Sequence, residues 1–437
     1  MRQVIPGFFL LTFLLCFLGY SLRITAQNVV NNGGYMVVQP GGFVVISGNY
    51  INNNDGVSDG KVDLDGTIIL GRNWVNAANN TVITDIGTSP MGDVIMNGTV
   101  NQYIEGTNPT HFDNLILRNA DKILRVTDCE VNGRLTVDAV LNLNTEKLII
   151  DNPSQDAITY ISKYILSETT PVDGYGEIQW NLSDQTLSYQ VPFGSGLALN
   201  NDLNLTLTTR TPGDVGGNIT FATYPSDCHN VPLPEYVNNI AWDKEYVADR
   251  FWIIEPAFTL TKPSIEILFK YTDNDINPNC NGPLQESMLK AARYSTLMNQ
   301  WTDMTPDGTD DPATNTLSIK NIGPDNFYAP WALVEGQIDF EMFMSNAFTP
   351  NADGLNDGYG PVGFNFETFI AYDYYIYDRW GGKTFHTSDP AIGWNGSYNN
   401  DHKICQDGVY VWMIFVTDHY GVERKYKGTV TLLGREK

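Results

Sequence analysis

Five histidines, His111, His229, His386, His402 and His419, are scattered along the chain, and no two stand at the short spacing that lets one element hold a metal. Acyl transfer on a Gly-x-Ser-x-Gly turn, phosphate binding on a Gly-Lys-Ser/Thr loop and zinc proteolysis by His-Glu-x-x-His all lack their residues here. Gly194-Ser-Gly196 reads as a simple loop. The sequence does supply carboxylates and carboxamides in turns: Asp273-Asn-Asp-Ile-Asn277; Asn351, Asp353, Asn356 and Asp357; and Asp55, Asp59, Asp63 and Asp65. Oxygen donors of this kind suit calcium, yet Pro278 and Leu284 occupy the places where an EF-hand loop needs Gly and a bidentate Glu. Turn chemistry accounts for all three clusters without an ion. The expectation is no catalytic residue, no cofactor and no metal site, with calcium the one ion to consider; nothing singles out a glycosidase-like carboxylate pair.

The elements that would position such groups begin with Met1 to Ala26. Arg2, an apolar run from Phe8 to Leu18 and the small residue Ala26 form the three parts of a secretory signal, cut between Ala26 and Gln27. No later stretch is long and apolar enough for a membrane-spanning helix, so the chain is not expected to be an integral membrane protein. The net charge of −24 becomes −26 once Arg2 and Arg23 are removed. From Ser345 onward, 8 basic and 11 acidic residues leave −3, so −23 falls on Gln27 to Met344. Such a surface repels phosphate backbones and anionic lipid, which excludes nucleic acid as a partner. Four cysteines remain in the mature chain, too few for a disulfide framework; Cys228 and Cys280 are the pair their common region favours, and lone buried thiols are the alternative.

The region 27–152 repeats. Val44-Val-Ile-Ser-Gly-Asn-Tyr-Ile-Asn52 realigns on Ile68-Ile-Leu-Gly-Arg-Asn-Trp-Val-Asn76, with Tyr50 over Trp74 at a 24-residue spacing. Val94 to Gly98, Leu115 to Asn119, Leu135 to Val137 and Leu148 to Asn152 echo it. Short apolar strands separated by Asn, Gly and Asp are the signature of stacked β-rungs, each burying its inward face against its neighbours. A short β-solenoid, β-helix-like, from about Val29 to Asp151 follows, with a flattened sandwich as the runner-up. In residues 153–337, Gly176–Trp180, Leu203–Thr208, Asn218–Ala222, Arg250–Ile254, Ser264–Tyr271 and Trp331–Val334 read as strands, most alternating apolar with polar, which fits an antiparallel β-sandwich. Gln285 to Tyr294 reads as a helix or as a strand with a short turn.

After a linker at 338–344, residues 345–437 describe a compact all-β domain. Ala371 to Arg379 and Val409 to Thr417 are strands, and Gly381-Gly382 and His419-Tyr-Gly421 are turns. Trp380, Trp394 and Trp412 are expected to pack its core. Its ordered blocks are Phe348-Thr-Pro-Asn-Ala-Asp-Gly354 with Asn356 and Asp357, Tyr377-Asp-Arg-Trp-Gly381, Trp394 with Gly396, Gly408 with Tyr410, and Gly428-Thr-Val-Thr-Leu-Leu433. In that order they resemble the gliding-motility-associated C-terminal domain, the type B sorting domain of the type IX secretion system of Bacteroidota. Ala352 and Asn395 depart from the commoner Gly and Asp, both within turns. The resemblance implies an Ig-like β-sandwich, partnership with the type IX translocon and associated outer-membrane proteins, and export to the extracellular side or cell surface. Its motif residues are Phe348, Thr349, Pro350, Asn351, Asp353, Gly354, Asn356, Asp357, Tyr377, Asp378, Arg379, Trp380, Gly381, Trp394, Gly396, Gly408, Tyr410 and Gly428. A local excess of base near the end, Arg424, Lys425, Lys427, Arg435 and Lys437 against Glu423 and Glu436, reads both as a solvated edge strand and as a surface for the secretion machinery.

Two functions of different classes are compatible with these readings. One is a secreted cell-surface structural or adhesive protein, an adhesin that could engage surface glycans. The other is a surface polysaccharide lyase or hydrolase on a β-helical domain, for which fold is the only support.

Overall fold

The computed structural model describes residues 23–87, 89, 91–168, 174–196, 202–240, 246–277, 283–284, 286–295, 300–303, 308–335, 343–351, 356–362, 369–418 and 423–434. The chain is all-β and divides into two compact units, Met1–Gln337 and Ile338–Lys437.

The first unit opens with parallel ladders of short strands, two to five residues long. Arg23–Ala26, Phe43–Ile46, Thr67–Leu70, Asp93–Met96, Asn114–Arg118, Leu135–Asp138 and Ile158–Tyr160 pair in that order. A second ladder runs Val29–Asn32, Tyr50–Asn53, Trp74–Ala77, Gln102–Gly106, Lys122–Arg125, Leu141–Asn142 and Ile165–Leu166. A third joins Thr110–Phe112, Cys129–Val131, Lys147–Ile150 and Glu177–Asn181, and the pair Tyr35–Val38 and Lys61–Leu64 approaches it through bridges Val62–Ile83 and Val82–His111. Tyr50 lies in register against Trp74, ring centroids 4.4 Å apart, as the sequence repeat requires.

Asparagines explain why the repeat carries Asn at fixed places. At one corner Asn28 Oδ1 accepts from Asn49 N, Asn49 Oδ1 from Asn73 N and Asn73 Oδ1 from Tyr103 N, at 2.8, 3.0 and 3.1 Å. Each carboxamide thus satisfies a backbone donor of the next rung, which a turn would otherwise leave unmade. Inside, Asn52 and Asn76 are fully buried and stack in register. Asn76 Nδ2 donates to Asn80 O and Pro109 O at 2.7 and 2.9 Å, and its Oδ1 accepts from Ala78 N. Asn76→Ala should therefore cost about 1–3 kcal/mol in thermal or denaturant unfolding, since it strands those three backbone groups.

Two features of the repeat differ from the sequence reading. Leu148–Asn152 does not continue the rung series of Leu135; Leu148 pairs with Cys129 in the third ladder, and Ile158 is the partner of Leu135. Strands on all three ladders are short, two to five residues, and similar in composition, so periodicity cannot separate them. Parallel pairing also continues beyond Asp151, to Glu177–Asn181. That strand is where the architecture changes: it is parallel to Lys147–Ile150 on one edge and antiparallel to Asn218–Pro225 on the other.

From there the sheet runs Asn218–Pro225, Val247–Ala257, Trp331–Glu335, Leu289–Ser295 and Gln300–Asp303, all antiparallel. A second sheet orders Ser188–Val191, Leu205–Thr209, Ile265–Lys270, Thr316–Ile322 and Gly308–Asp311. Phe269 of the second sheet touches Trp252 and Trp331 of the first, ring centroids 5.5 and 5.7 Å apart. One apolar cluster runs from Val38 to Leu333 through ladders and sheets alike. Of the ambiguous segment Gln285–Tyr294, Gln285 lies outside the described residues, Glu286–Met288 is a 3-10 turn, and Leu289–Ser295 is a strand buried at every position. Burial on both faces between two partner strands overrides its helix-forming Leu, Lys, Ala and Arg. Cys228 is held in a disulfide, whereas Cys129 and Cys405 are free and buried.

Among the described residues, the second unit forms a five-stranded sheet in the order Ala347–Phe348, Glu423–Leu432, Gly408–Asp418, Phe369–Tyr377, Lys383–Thr387. Its long strands alternate strictly. Tyr372, Tyr374, Ile376, Tyr410, Trp412, Ile414, Val416, Val430 and Leu432 face a core completed by Phe348, Tyr359, Phe385 and Trp394.

Candidate functional site: the C-terminal sheet

The sorting-motif residues fall into two groups, one building the core and the other shaping turns. Phe348 pairs with Leu432 and stacks its ring 5.3 Å from Tyr359 and 5.2 Å from Trp394. Trp394 is fully buried, donates from Nε1 to Ser397 O at 2.8 Å, and meets Tyr410 at 4.9 Å. Tyr410 donates its hydroxyl to Gln406 O at 2.7 Å, and burial above all pushes that hydroxyl up to about 12. Gly396 has φ 78, and a Cβ there would sit 2.9 Å from Pro350 Cγ. Gly428 faces Trp412 in register, and a Cβ on it would lie 2.5 Å from the indole, so glycine is what lets the indole lie across the strand.

Turn residues make up the rest. Asp378 Oδ1 accepts from Trp380 N and Gly382 N at 2.9 and 2.8 Å, and Gly381 takes φ 83. This Asx turn carries Trp380 outward: it is 73% exposed, with the Arg379 guanidinium 4.1 Å above its ring. The expectation that Trp380 packs the core, with Trp394 and Trp412, is corrected, because a residue at the apex of a two-glycine turn projects beyond the sheet. Thr349 N donates to Asn356 O at 3.2 Å, Asn351 N to Thr349 O, and Asn356 takes φ 54. Asp357 is half-buried, Gly408 opens the strand that carries Tyr410, and Asp353 and Gly354 lie outside the described residues. At the other end of the chain, Ala26 closes the first parallel strand and pairs with Ile46, so a cut before Gln27 would remove that strand and leave Phe43–Ile46 at the edge.

The sequence reading missed the outward face of this sheet. Tyr375 stacks on His386 at 4.3 Å and near Tyr377 at 6.1 Å, and Phe415 meets Tyr375 edge-on at 5.9 Å. Val409, Val411 and Phe415 are 54, 38 and 39% exposed. Lys425 Nζ lies 5.2 Å from the Phe415 ring and Lys383 Nζ 5.9 Å from Tyr375. Beside them His386 Nε2 lies 2.7 Å from Asp373 Oδ1, and this bond, with Ser388, holds the Asp373 carboxyl below the usual range. The signal was present in Tyr372-Asp-Tyr-Tyr-Ile-Tyr377 and Val409-Tyr-Val-Trp-Met-Ile-Phe-Val416, which are apolar on both faces although only one has a core to meet. The basic strand Glu423–Leu432 bonds along its length to Gly408–Asp418; on its other edge, among the described residues, it pairs only through Thr431 and Leu432. It is thus an edge strand for most of its length, with Lys425 and Lys427 exposed.

The acidic turns are engaged in hydrogen bonds of their own. Asp55 Oδ1 caps Val57 N and Ser58 N, Asp59 Oδ1 accepts from Asn54 and Asn79, and Tyr35 donates to Asp63. Asp273 accepts from Asn315, and Asp275 from Thr272 and Arg250. Among the described residues no three acidic, imidazole or thiol groups gather at a metal position, and no helix is long and apolar enough to cross a membrane.

The second unit thus fits a motif glycine, Gly428, to its core indole Trp412 and leaves an aromatic and basic face open. Residues 342–432 match the CHU_C type IX secretion signal domain. The chain carries that C-terminal sorting domain, which implies interaction with the secretion system, export out of the cell and surface attachment. No curated protein matches the chain.

Proposed function

We infer that the protein is a secreted structural or adhesive component of the cell surface, delivered by its C-terminal domain and displaying Gln27 to Met344. The observation that carries the reading is the sorting domain at 342–432. Display is supported by the parallel ladders, which we read as a short β-solenoid continuing into an antiparallel sandwich, an architecture that makes long rigid surfaces. A groove of about 540 Å³ along the asparagine corner, lined by Asn28, Asn49, Arg72, Asn73 and Tyr103 among others, offers amides, a guanidinium and an aromatic ring to glycan hydroxyls. We read the second unit as an Ig-like sandwich whose partners are the translocon and its outer-membrane proteins.

Deleting 345–437 should abolish appearance of the protein outside the cell in fractionation; unchanged export would overturn the delivery role. The mature chain, tested on a panel of plant, algal and bacterial polysaccharides, should be retained without turnover, and Tyr103→Ala should weaken retention. Turnover that a single Asp or Glu substitution abolishes would overturn display in favour of catalysis.

A further inference from the structure

Beyond the strand Asn218–Pro225, three neighbouring residues hold polar atoms without partners. Ser226 Oγ, both amide atoms of Asn230 and Asp249 Oδ1 are buried and make no hydrogen bond. Asn230 is fully buried and Ser226 is 9% exposed. Native folds leave few such atoms dry, because each has given up water for nothing.

The backbone sets Ser226 against Asp249, and the turn that carries Asn230 follows Ser226 directly. Ser226 N donates to Asp249 O at 2.9 Å, continuing the antiparallel register in which Pro225 faces Arg250, so Ser226 and Asp249 stand opposite each other on one face. That face also carries Tyr224 and Phe251, and the following segment folds over it: Val237 joins their cluster, and the Tyr224 hydroxyl donates to Pro232 O at 3.4 Å. Asn230, at φ 58, donates its N–H to Asp227 O at 2.7 Å. The Asp227 carboxylate caps His229 N and Val231 N, fixing the turn that follows Ser226.

Charge points the same way. Arg250, next in sequence, lies 2.9 Å from Glu168 and 2.8 Å from Asp275, and is spent on those two carboxylates. Hydroxyl, carboxamide and carboxylate oxygens together are a hard donor set, of which two are neutral.

We propose that Ser226, Asn230 and Asp249 bind a divalent cation, calcium, with waters completing its shell and reaching Asn230 Nδ2. Calcium accepts such an irregular mixed set, whereas magnesium demands a near-ideal octahedron. Its supply at this site rests on the export reading, but the binding test below does not, so either can fail alone.

The full mature chain, stripped with chelator, is melted against CaCl2 and against MgCl2 and titrated calorimetrically with CaCl2. Calcium a hundredfold above Kd should raise Tm by roughly 5 °C or more. Asp249→Asn should abolish the shift. Asn230→Asp, which tolerates the same left-handed backbone and adds a charge, should tighten calcium binding by roughly tenfold. That gain of function guards against a variant that merely misfolds. No calcium shift in the unsubstituted chain, a shift that survives Asp249→Asn, an equal response to magnesium, or a structure showing only water among the three side chains would overturn the site.

Discussion

Arg250→Ala should lower the stability of the first unit by about 3–5 kcal/mol, the largest single loss expected in it. Arg250 is 1% exposed, and its partners Glu168 and Asp275 are 4 and 3% exposed. Glu168 also accepts from Ser195 Oγ and Gly196 N at 2.8 and 2.7 Å, and Asp275 from Thr272 N and Oγ1 at 2.7 and 2.8 Å. The guanidinium therefore ties the 168 and 195–196 segments and the single helical turn Asp273–Ile276 to the strand Val247–Ala257. Removing it leaves two carboxylates buried with no counter-charge. Arg250→Lys should recover little, since one ammonium cannot span both partners as a planar fork does. A triple replacement, Arg250→Met with Glu168→Gln and Asp275→Asn, should recover much of the loss. Denaturant unfolding measures all three, and an Arg250→Ala loss under about 1 kcal/mol would show that the cluster is hydrated rather than buried.

Gly428→Val should cost the C-terminal unit roughly 3 kcal/mol, and it should abolish export as a result. The first side-chain carbon alone would enter within 2.5 Å of Trp412 Cζ2, and Trp412 is 8% exposed with core on its other side. Thr429→Val, one residue on and facing outward, is the control and should melt and travel like the natural chain. Limited proteolysis of the mature chain and the extracellular fraction in cells read the two effects. Normal export of Gly428→Val would mean that the machinery reads the motif as a linear signal rather than as a folded surface.

The sequence was sufficient wherever one local rule settled the outcome. Alternation identified the strands at Gly176–Trp180 and Leu203–Thr208, because period two is how a pleated strand buries one side, and β-branched and aromatic content identified Val409–Thr417. The realignment of Tyr50 on Trp74 with Asn49 on Asn73 identified adjacent strands, because a stacked rung repeats its partner's chemistry at the same depth. The sorting domain was legible because its turn glycines and aromatic residues fall in ordered blocks along the chain, from Phe348–Gly354 to Gly428–Leu433.

What only the tertiary structure decided depends on contacts between residues distant in sequence. Leu148 and Ile158 are equally good partners for Leu135 by composition, and the choice between them is made by which ladder each turn feeds. Trp380 reads as core by type, yet the turn set by Asp378 and Gly381 aims it at solvent. Arg250, Glu168 and Asp275 carry no shared motif, and nor do Ser226, Asn230 and Asp249; each trio spans tens of residues. A buried charge or an unpartnered amide is defined by what surrounds it in space, and in this chain those surroundings come from the antiparallel register that sets Pro225 against Arg250.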